Sequence, residues 1–497
     1  MLIMSVPKEI ITIGKALQKA GFEAYLVGGC VRDLILSEVE GRPHPPQDWD
    51  IATSARPEEI QRLFPESVYE NTFGTVAVKT DSKDERLKII EITTYRLEGR
   101  YSDARHPDEI KFAATIEEDL SRRDFTVNAM ALKIQDAKFV TRDLVDPYGG
   151  QKDIKLKTIR AVGDPAKRFR EDALRLLRAI RLSTELEFTI EPATLSALHT
   201  NALLLKKIAS ERVRDELIKI IASPRAALGI RILESTGLLR HVIPELTEAI
   251  GCKQNKHHIY DVFEHSIRSL DYTASKNYSL AIRLAALFHD IGKPRTKRGI
   301  GEDATFYSHE IVGARITQKI LERLHFPREL ADDIIHLVRY HMFNYAVGEV
   351  SPAGVRRLLA RVGLEYIDPL IHLREADRIG SGVPKAVPYK LRHLLYMIDR
   401  VRRDPISPKM LKLNGTDLMS LLKITPSPRV GMILNALLEE VINNPKHNTK
   451  TTLSKRAKEL NKLSDQELST LMAESKKKQA AFEEAADEDI KTRHYVK

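Results

Sequence analysis

The feature that most constrains this chain is a strand that runs into two glycines and then into a helix. Residues 22–29 read FEAYLVGG, and a helical pattern starts near Cys30. Gly28 and Gly29 let the backbone come close to a phosphate, and the helix that follows offers N–H donors and a positive dipole end. Asp48 and Asp50 then flank Trp49 in a second β-rich run, residues 48–54. Residues i and i+2 of a strand point to one face. Two carboxylates side by side repel unless a cation sits between them, and hard oxygen ligands beside a phosphate-binding turn suit Mg²⁺. Alone, a glycine pair marks a tight turn and an isolated Asp-x-Asp is more often an acidic strand end facing water. Together they point to a nucleotide and metal site.

The rest of the head supports a sheet. Residues 74–80 and 88–96 (GTVAVKT and KIIEITTYR) are strand-like, bounded by turn residues. A short amphipathic helix precedes them near the N-terminus. From about residue 164 apolar residues recur at helical spacing (Phe169, Leu174, Leu177, Ile180) with arginines between them. Helical patterns dominate from there on. The expected domains are 1–160, 161–250, 251–384, 385–470 and a charged, flexible C-terminus, 471–497.

Composition narrows the class of partner. The 497 residues carry a net charge of +10, compatible with a polyanion such as nucleic acid. No apolar run approaches the roughly 18 residues a membrane span needs. The cysteines are Cys30 and Cys252 alone, so neither a disulfide framework nor a Cys-based zinc site organises the fold. A reducing, cytoplasmic setting fits.

GG-x-VRD followed by Asp-x-Asp resembles the DNA polymerase beta-type nucleotidyltransferase superfamily. ENTFGTVAV (70–78), EITTYR (91–96), YSDARHP (101–107), LSRRDFTVNAMAL (120–132), LVDPYGGQKDI (144–154), FREDALRLLRAIRL (169–182) and ERVRDEL (211–217) follow in order. This series resembles the bacterial class II tRNA nucleotidyltransferases and their relatives, the bacterial poly(A) polymerases. The resemblance implies an α+β protein: a polymerase-beta-type head on a small mixed sheet, followed by all-helical neck, HD and tail domains. It implies that Gly28, Gly29 and Arg32 hold the triphosphate and that Asp48 and Asp50 bind two Mg²⁺, with Glu91 as the third carboxylate. Arg123 and Asp124 would contact phosphate and ribose, with Arg122 assisting. Asp172 and Arg175 would face the base.

Residues three apart on a helix share a face. A carboxylate that accepts and a guanidinium that donates can together imitate a base edge, so Asp172 and Arg175 could read cytosine and adenine without a template. Arg178 and Arg181 extend that face toward phosphates. Surface ion pairs are the ordinary reason for Asp and Arg at this spacing; here they follow RRDFT.

A second constellation lies downstream. His265, His289, Asp290, His309, His341 and Asp377 are spread over several helical segments. Imidazole and carboxylate ligands suit a divalent ion with open water positions, and such an ion suits phosphoester hydrolysis. The order H…HD…H…H…D, with HDIGK at its centre, resembles the HD phosphohydrolase superfamily. That resemblance implies His265, His289, Asp290 and Asp377 as ligands of Mg²⁺, Mn²⁺, Ni²⁺ or Co²⁺. His309 and His341 would serve a second metal or the substrate phosphate, and Lys293 that phosphate. A working hydrolase is expected, with a cyclic, 2′- or terminal phosphate on RNA as its substrate.

The tail, residues 413–449, resembles the C-terminal segment of many bacterial tRNA nucleotidyltransferases. Gly415 and Gly431 would open helices whose N–H groups could take RNA phosphates. Pro426-Ser427-Pro428 stands where those proteins usually show Pro-Gly-Pro. His106 stands where an arginine is common, and the Gly-Arg-Arg-Phe pattern of poly(A) polymerases is absent from the sequence. The expectation is addition of CCA to tRNA from CTP and ATP. The rivals are partial CCA or poly(A) addition, and an HD phosphohydrolase whose head only binds RNA.

Overall fold

The computed structural model describes residues 6–69, 74–98, 110–135, 143–255, 259–343, 350–383 and 385–470. His106 and the charged stretch 471–497 lie outside them. The chain forms two compact units, Met1–Ile335 and His336–Lys497.

The first unit opens with the amphipathic helix Lys8–Lys19 and a sheet. Its strands are β1 (Ala24–Val27), β2 (Asp50–Thr53), β3 (Ser67–Tyr69), β4 (Thr75–Lys79), β5 (Ile89–Thr94), β6 (Arg96–Glu98), β7 (Ile110–Phe112), β8 (Ala131–Lys133) and β9 (Leu144–Val145). Seven of them form one sheet in the order β3-β4-β5-β2-β1-β8-β9, and β6 and β7 form a separate ribbon. β2 and β5 run parallel, and the other neighbours in the sheet run antiparallel, so the sheet is mixed. All four residues of β1 are buried, as a central strand covered on both faces requires. Tyr25 and Val27 meet Ala52, Tyr95, Ile116 and Leu120 in one cluster. Val31, Leu34 and Ile35 are the buried apolar stripe of the helix Gly29–Glu40.

Helices follow: Pro165–Glu171, Arg175–Glu185, Pro192–Asn201, Ser210–Ala222 and Ala226–Ser235, then Val262–Ser275, Leu280–Phe288 and His309–Arg323. One short parallel pair, Thr158–Ile159 with Thr189–Ile190, interrupts this helical run. The second unit contains Pro352–Val362, Leu364–Gly380, Tyr389–Val401, Gly415–Leu422, Pro428–Asn443 and Lys450–Leu460. The last three pack around Leu418, Ile433, Leu437, Val441, Leu453 and Leu460. The α+β class with a small mixed sheet and helical domains behind it is as expected. Among the described residues no helix is long and apolar enough to cross a membrane.

Three local expectations change. Asp48 precedes β2 rather than lying on it. β1 pairs Val27 with Asp50 and then turns away at Gly28, so the chain before Asp50 has no ladder partner there. The helix expected to carry both Asp172 and Arg175 is broken. Pro165–Glu171 ends with Asp172 in extended conformation, and Arg175–Glu185 begins a new helix. Asp172 Oδ1 accepts a hydrogen bond from Leu174 N at 2.9 Å, the local backbone bonding that makes aspartate a poor helix-interior residue. Gly431 lies inside Pro428–Asn443, which opens at Pro428 instead. Proline suits that first position, with its φ preset and its missing N–H not needed.

Candidate functional site

The head site is built where β1 ends. Gly28 has φ 77° and ψ −136° and caps the helix Gly29–Glu40. A Cβ there would sit 3.2 Å from Arg123 Nη1 and 3.4 Å from Asp50 Oδ2. The backbone therefore passes between a guanidinium and a carboxylate, in a conformation that L side chains rarely adopt. The antiparallel register sets Val27 against Asp50, and the parallel register sets Asp50 against Glu91. The glycine turn, Asp50 and Glu91 thus share one end of the sheet. Burial raises the pKa of Asp50, Arg123 opposes that, and Asp48 adds to it, leaving the carboxyl above its ordinary value. Carboxylates that repel in this way form a donor set suited to a hard divalent cation. As they stand, Asp48, Asp50 and Glu91 do not close to a common ligand spacing.

The basic residues around this turn are held by partners. Arg32 donates to Asp33 at 2.8 Å and to Asn128 at 2.9 Å. Arg122 and Arg123 pair with Asp119, at 2.7 and 3.2 Å. Asp119 is 1% exposed and also accepts from Arg96 N. It follows two glutamates and sits three and four residues before the arginines it holds, so the helical spacing carried its signal.

Asp124 is buried beneath them. Its Oδ1 accepts from Phe125 N at 2.8 Å, and its Oδ2 takes Arg178 at 2.5 Å. Burial pushes its pKa up, but Arg178 and then Arg175 outweigh burial and hold it at about 2. A depressed carboxylate contributes stability above its unfolded pKa of about 3.9, and that contribution disappears as the pH falls through the folded value. Arg178→Met should leave this carboxylate buried without its cation. A loss of about 3–5 kcal/mol in urea unfolding at pH 7 is expected; an unchanged midpoint would show that the pair carries no stability.

Asp172 and Arg175, expected from the sequence to face the base, are also engaged. Asp172 Oδ2 meets Arg212 at 3.3 Å. Arg175 is 8% exposed and donates to Glu171 at 2.8 Å and to the carbonyls of Arg168 and Arg122 at 3.2 and 2.9 Å. Arg181 pairs with Glu216 at 3.2 Å. The sequence did not single out Asn128 and Arg212, whose partners are fixed by the fold, or Glu171, whose partners Arg168 and Arg175 lie three and four residues away.

The second site lies at the C-terminus of Leu280–Phe288. His265, His289 and Asp290 are buried and present ligand atoms within 4.8 Å of one another. His265 Nε2 and His289 Nε2 are 2.9 Å apart, and Asp290 Oδ2 lies 3.2 and 3.3 Å from them. Asp290 Oδ1 faces His309 Nε2 at 3.3 Å. Lys293 Nζ is 2.6 Å from Asp290 Oδ2 and 2.7 Å from Gln254 Oε1, another partner missed in the sequence. Burial would raise the Asp290 pKa, yet His289, Lys293 and the imidazole hydrogen bonds drive it well below the carboxylate range.

The imidazoles are oriented as metal ligands. His289 Nδ1 is 2.9 Å from Ala286 O, and His309 Nδ1 is 2.8 Å from Phe306 O. A carbonyl only accepts, so Nδ1 carries a hydrogen and Nε2 is the ring atom that faces Asp290, donating to its carboxylate in the protonated ring and able to ligate a metal in the neutral one. Gly292 makes the approach possible. A Cβ there would fall 2.2 Å from His309 O and 2.6 Å from Gly313 N. In the second unit His341 has the same tautomer, its Nδ1 2.8 Å from Val338 O. Asp377, also there, takes Arg374 at 2.6 Å.

A glycine turn between Arg123 and Asp50, backed by a helical neck, defines a nucleotidyltransferase joined to an HD-type histidine cluster. Family models match along the chain: a poly A polymerase head domain over residues 24–160, "Probable RNA and SrmB- binding site of polymerase A" over 187–250, and an HD domain over 262–379. An A-adding tRNA nucleotidyltransferase of Deinococcus radiodurans is 39% identical over 347 residues, 67% of this chain and 76% of that one. A CCA-adding enzyme of Lactobacillus helveticus is 43% identical over 229 residues, 46% of this chain and about half, 53%, of that enzyme. The structure of a Bacillus stearothermophilus CCA-adding enzyme in complex with CTP aligns with TM-score 0.62 and 28% identity, covering 92% of this chain and 97% of that one. The chain belongs to the bacterial tRNA nucleotidyltransferase family that carries the poly A polymerase head.

Proposed function

We propose that this protein adds CCA to the 3′ end of tRNA from CTP and ATP, without a template, in the cytoplasm. The register that sets the Gly28 turn, Asp50 and Glu91 at one end of the sheet carries this reading. Asp48, Asp50 and Glu91 would hold Mg²⁺, which supplies charge neutralisation for the departing pyrophosphate. Gly28, Gly29, Arg32 and Arg123 hold the triphosphate, and Asp124 positions the ribose. Asp172 and Arg175 read the base on exchanging their present partners, Arg212 and Glu171, for its edge. Arg178 and Arg181 complete the basic face. The test uses four tRNA transcripts, ending before CCA and after C, CC and CCA, each with labelled CTP or ATP. Stepwise C, C and A addition followed by a stop is expected. Addition of A alone, and only to the transcript ending in CC, would replace the reading with A-addition. That alternative is favoured by one observation: the match to the A-adding relative extends over 347 residues, against 229 for the CCA-adding one.

The histidine cluster is proposed as a phosphohydrolase acting on RNA terminal phosphates. The two Asp290 oxygens facing separate imidazoles support it. His265, His289 and Asp290 would hold the divalent ion, with His309 and Lys293 toward the phosphate. Incubation of RNA ending in a 2′,3′-cyclic phosphate with Mg²⁺, Mn²⁺, Ni²⁺ or Co²⁺ should open the ring: water adds to phosphorus, one P–O bond to the ribose breaks, and a terminal phosphomonoester remains. Asp290→Ala should abolish that ring opening and leave nucleotide addition intact; a retained hydrolysis would end this assignment.

A further inference from the structure

The second unit carries an aromatic and basic surface that neither site uses. On the helix Tyr389–Val401, one stripe (Leu391, Leu394, Met397, Ile398, Val401) is buried. Another face presents Tyr389, His393 and Tyr396, spaced four and three residues apart. Their ring centroids are 6.1 Å apart at each step. Tyr389 is 62% and Tyr396 59% exposed. Single exposed aromatic residues are ordinary, but a run of three rings on one face is a surface with a direction. It is also charged: residues 385–403 contain six Lys or Arg and a single acidic residue, Asp399.

A second feature meets this ladder at Tyr389. A cavity of about 590 Å³ is lined by Tyr389, Lys390, Phe343, Arg374 and Arg378. The Arg374 guanidinium lies 6.0 Å over the Phe343 ring and also pairs with Asp377. Arg378 Nε donates to Lys385 O at 3.4 Å. Three cations around a ring-lined hollow offer phosphate contacts beside planar surfaces, which is the chemistry of an unpaired nucleotide strand. Aromatic residues also mark protein interfaces, so it is the excess of six Lys or Arg over one acidic residue that favours the phosphate backbone of RNA as the occupant.

We propose that Tyr389, His393 and Tyr396 form a stacking platform for unpaired nucleotides of the RNA substrate, with Arg374, Arg378 and Lys390 taking the adjoining phosphates. This rests on the reading of the protein as an enzyme acting on RNA. Base–aromatic stacking tolerates any base because every base has a π face, so the platform grips RNA without selecting its sequence.

The test uses the full-length protein with Tyr389→Ala/Tyr396→Ala and Tyr389→Phe/Tyr396→Phe double variants. The probes are labelled single-stranded oligo(A) and oligo(U) RNA, and a tRNA transcript lacking CCA. Binding is followed by fluorescence anisotropy across a salt series. The alanine pair should weaken oligonucleotide binding on the order of ten- to a hundredfold, and the phenylalanine pair should retain it. Lys390→Gln should lower the steepness of the salt dependence. The alanine pair should raise the KM for tRNA while kcat and CTP binding stay unchanged. Parental RNA affinity in the alanine pair, or equal losses in both pairs, would overturn the platform. The proposals fail separately. A protein that adds no nucleotide but loses oligonucleotide binding in the alanine pair refutes the transferase substrate and keeps the platform.

Discussion

Asp50→Ala is expected to reduce nucleotide addition on the order of a thousandfold or more, with the ring opening of a 2′,3′-cyclic phosphate proposed for the histidine cluster unchanged. Asp50 is the head carboxylate tied to both neighbours by register, to Val27 on one side and Glu91 on the other. Its removal takes a ligand from the proposed cation and leaves Arg123 facing the Gly28 turn without its opposing charge. Metal-assisted charge stabilisation is worth several kcal/mol, and each 1.36 kcal/mol is about tenfold in rate. Single-turnover incorporation of labelled CTP into a transcript lacking CCA is the measurement. Residual addition within tenfold of the parent would remove Asp50 from the metal set. Loss of both activities together would point to a folding defect, which urea unfolding would reveal.

Gly292→Ala is expected to silence the second site through geometry alone. The added methyl would meet His309 O at 2.2 Å, and no flexible side chain is present to give way. The loop bearing Asp290 must then withdraw from the helix His309–Arg323, opening the 3.3 Å approach of Asp290 Oδ1 to His309 Nε2. Overpacking of this kind costs about 1–3 kcal/mol, which a domain of this size can absorb. Calorimetric titration with Mn²⁺ should show at least one binding event lost, and hydrolysis should fall with it. Nucleotide addition should be retained. Parental Mn²⁺ stoichiometry in this variant would show that Asp290 and His309 do not act on a shared ion.

Much of both sites was legible because the chemistry sits in short, ordered runs. The strands at residues 22–29, 48–54, 74–80 and 88–96 announced themselves through Val, Ile and Thr between turn residues. β8 and β9 did not, being three and two residues long and placed only by pairing with the sheet. The break at Asp172 was hidden because Phe169, Ala173, Leu177 and Ile180 keep a helical spacing across it. Periodicity reports which face is buried, and it says nothing of a carboxylate bonding its own neighbour's N–H. The holding residues were hidden for another reason. Asn128 meets Arg32 across 96 positions, Arg212 meets Asp172 across 40, and Gln254 meets Lys293 across 39. No local pattern encodes such pairs.

The parallel pairing of β2 with β5 also fixes an order of assembly. Asp50 and Glu91 are neighbours in space but forty-one positions apart, and a hairpin cannot join parallel strands. The intervening chain must close its crossover before the two carboxylates meet, and loop closure of that kind is slow relative to helix formation. A chain emerging from the ribosome with β2 complete and β5 still unmade holds Asp48 and Asp50 without the third carboxylate, Glu91. The carboxylate set can therefore be completed before Arg123, Asp124 and Asp172, which follow β5 in the chain, have been synthesised.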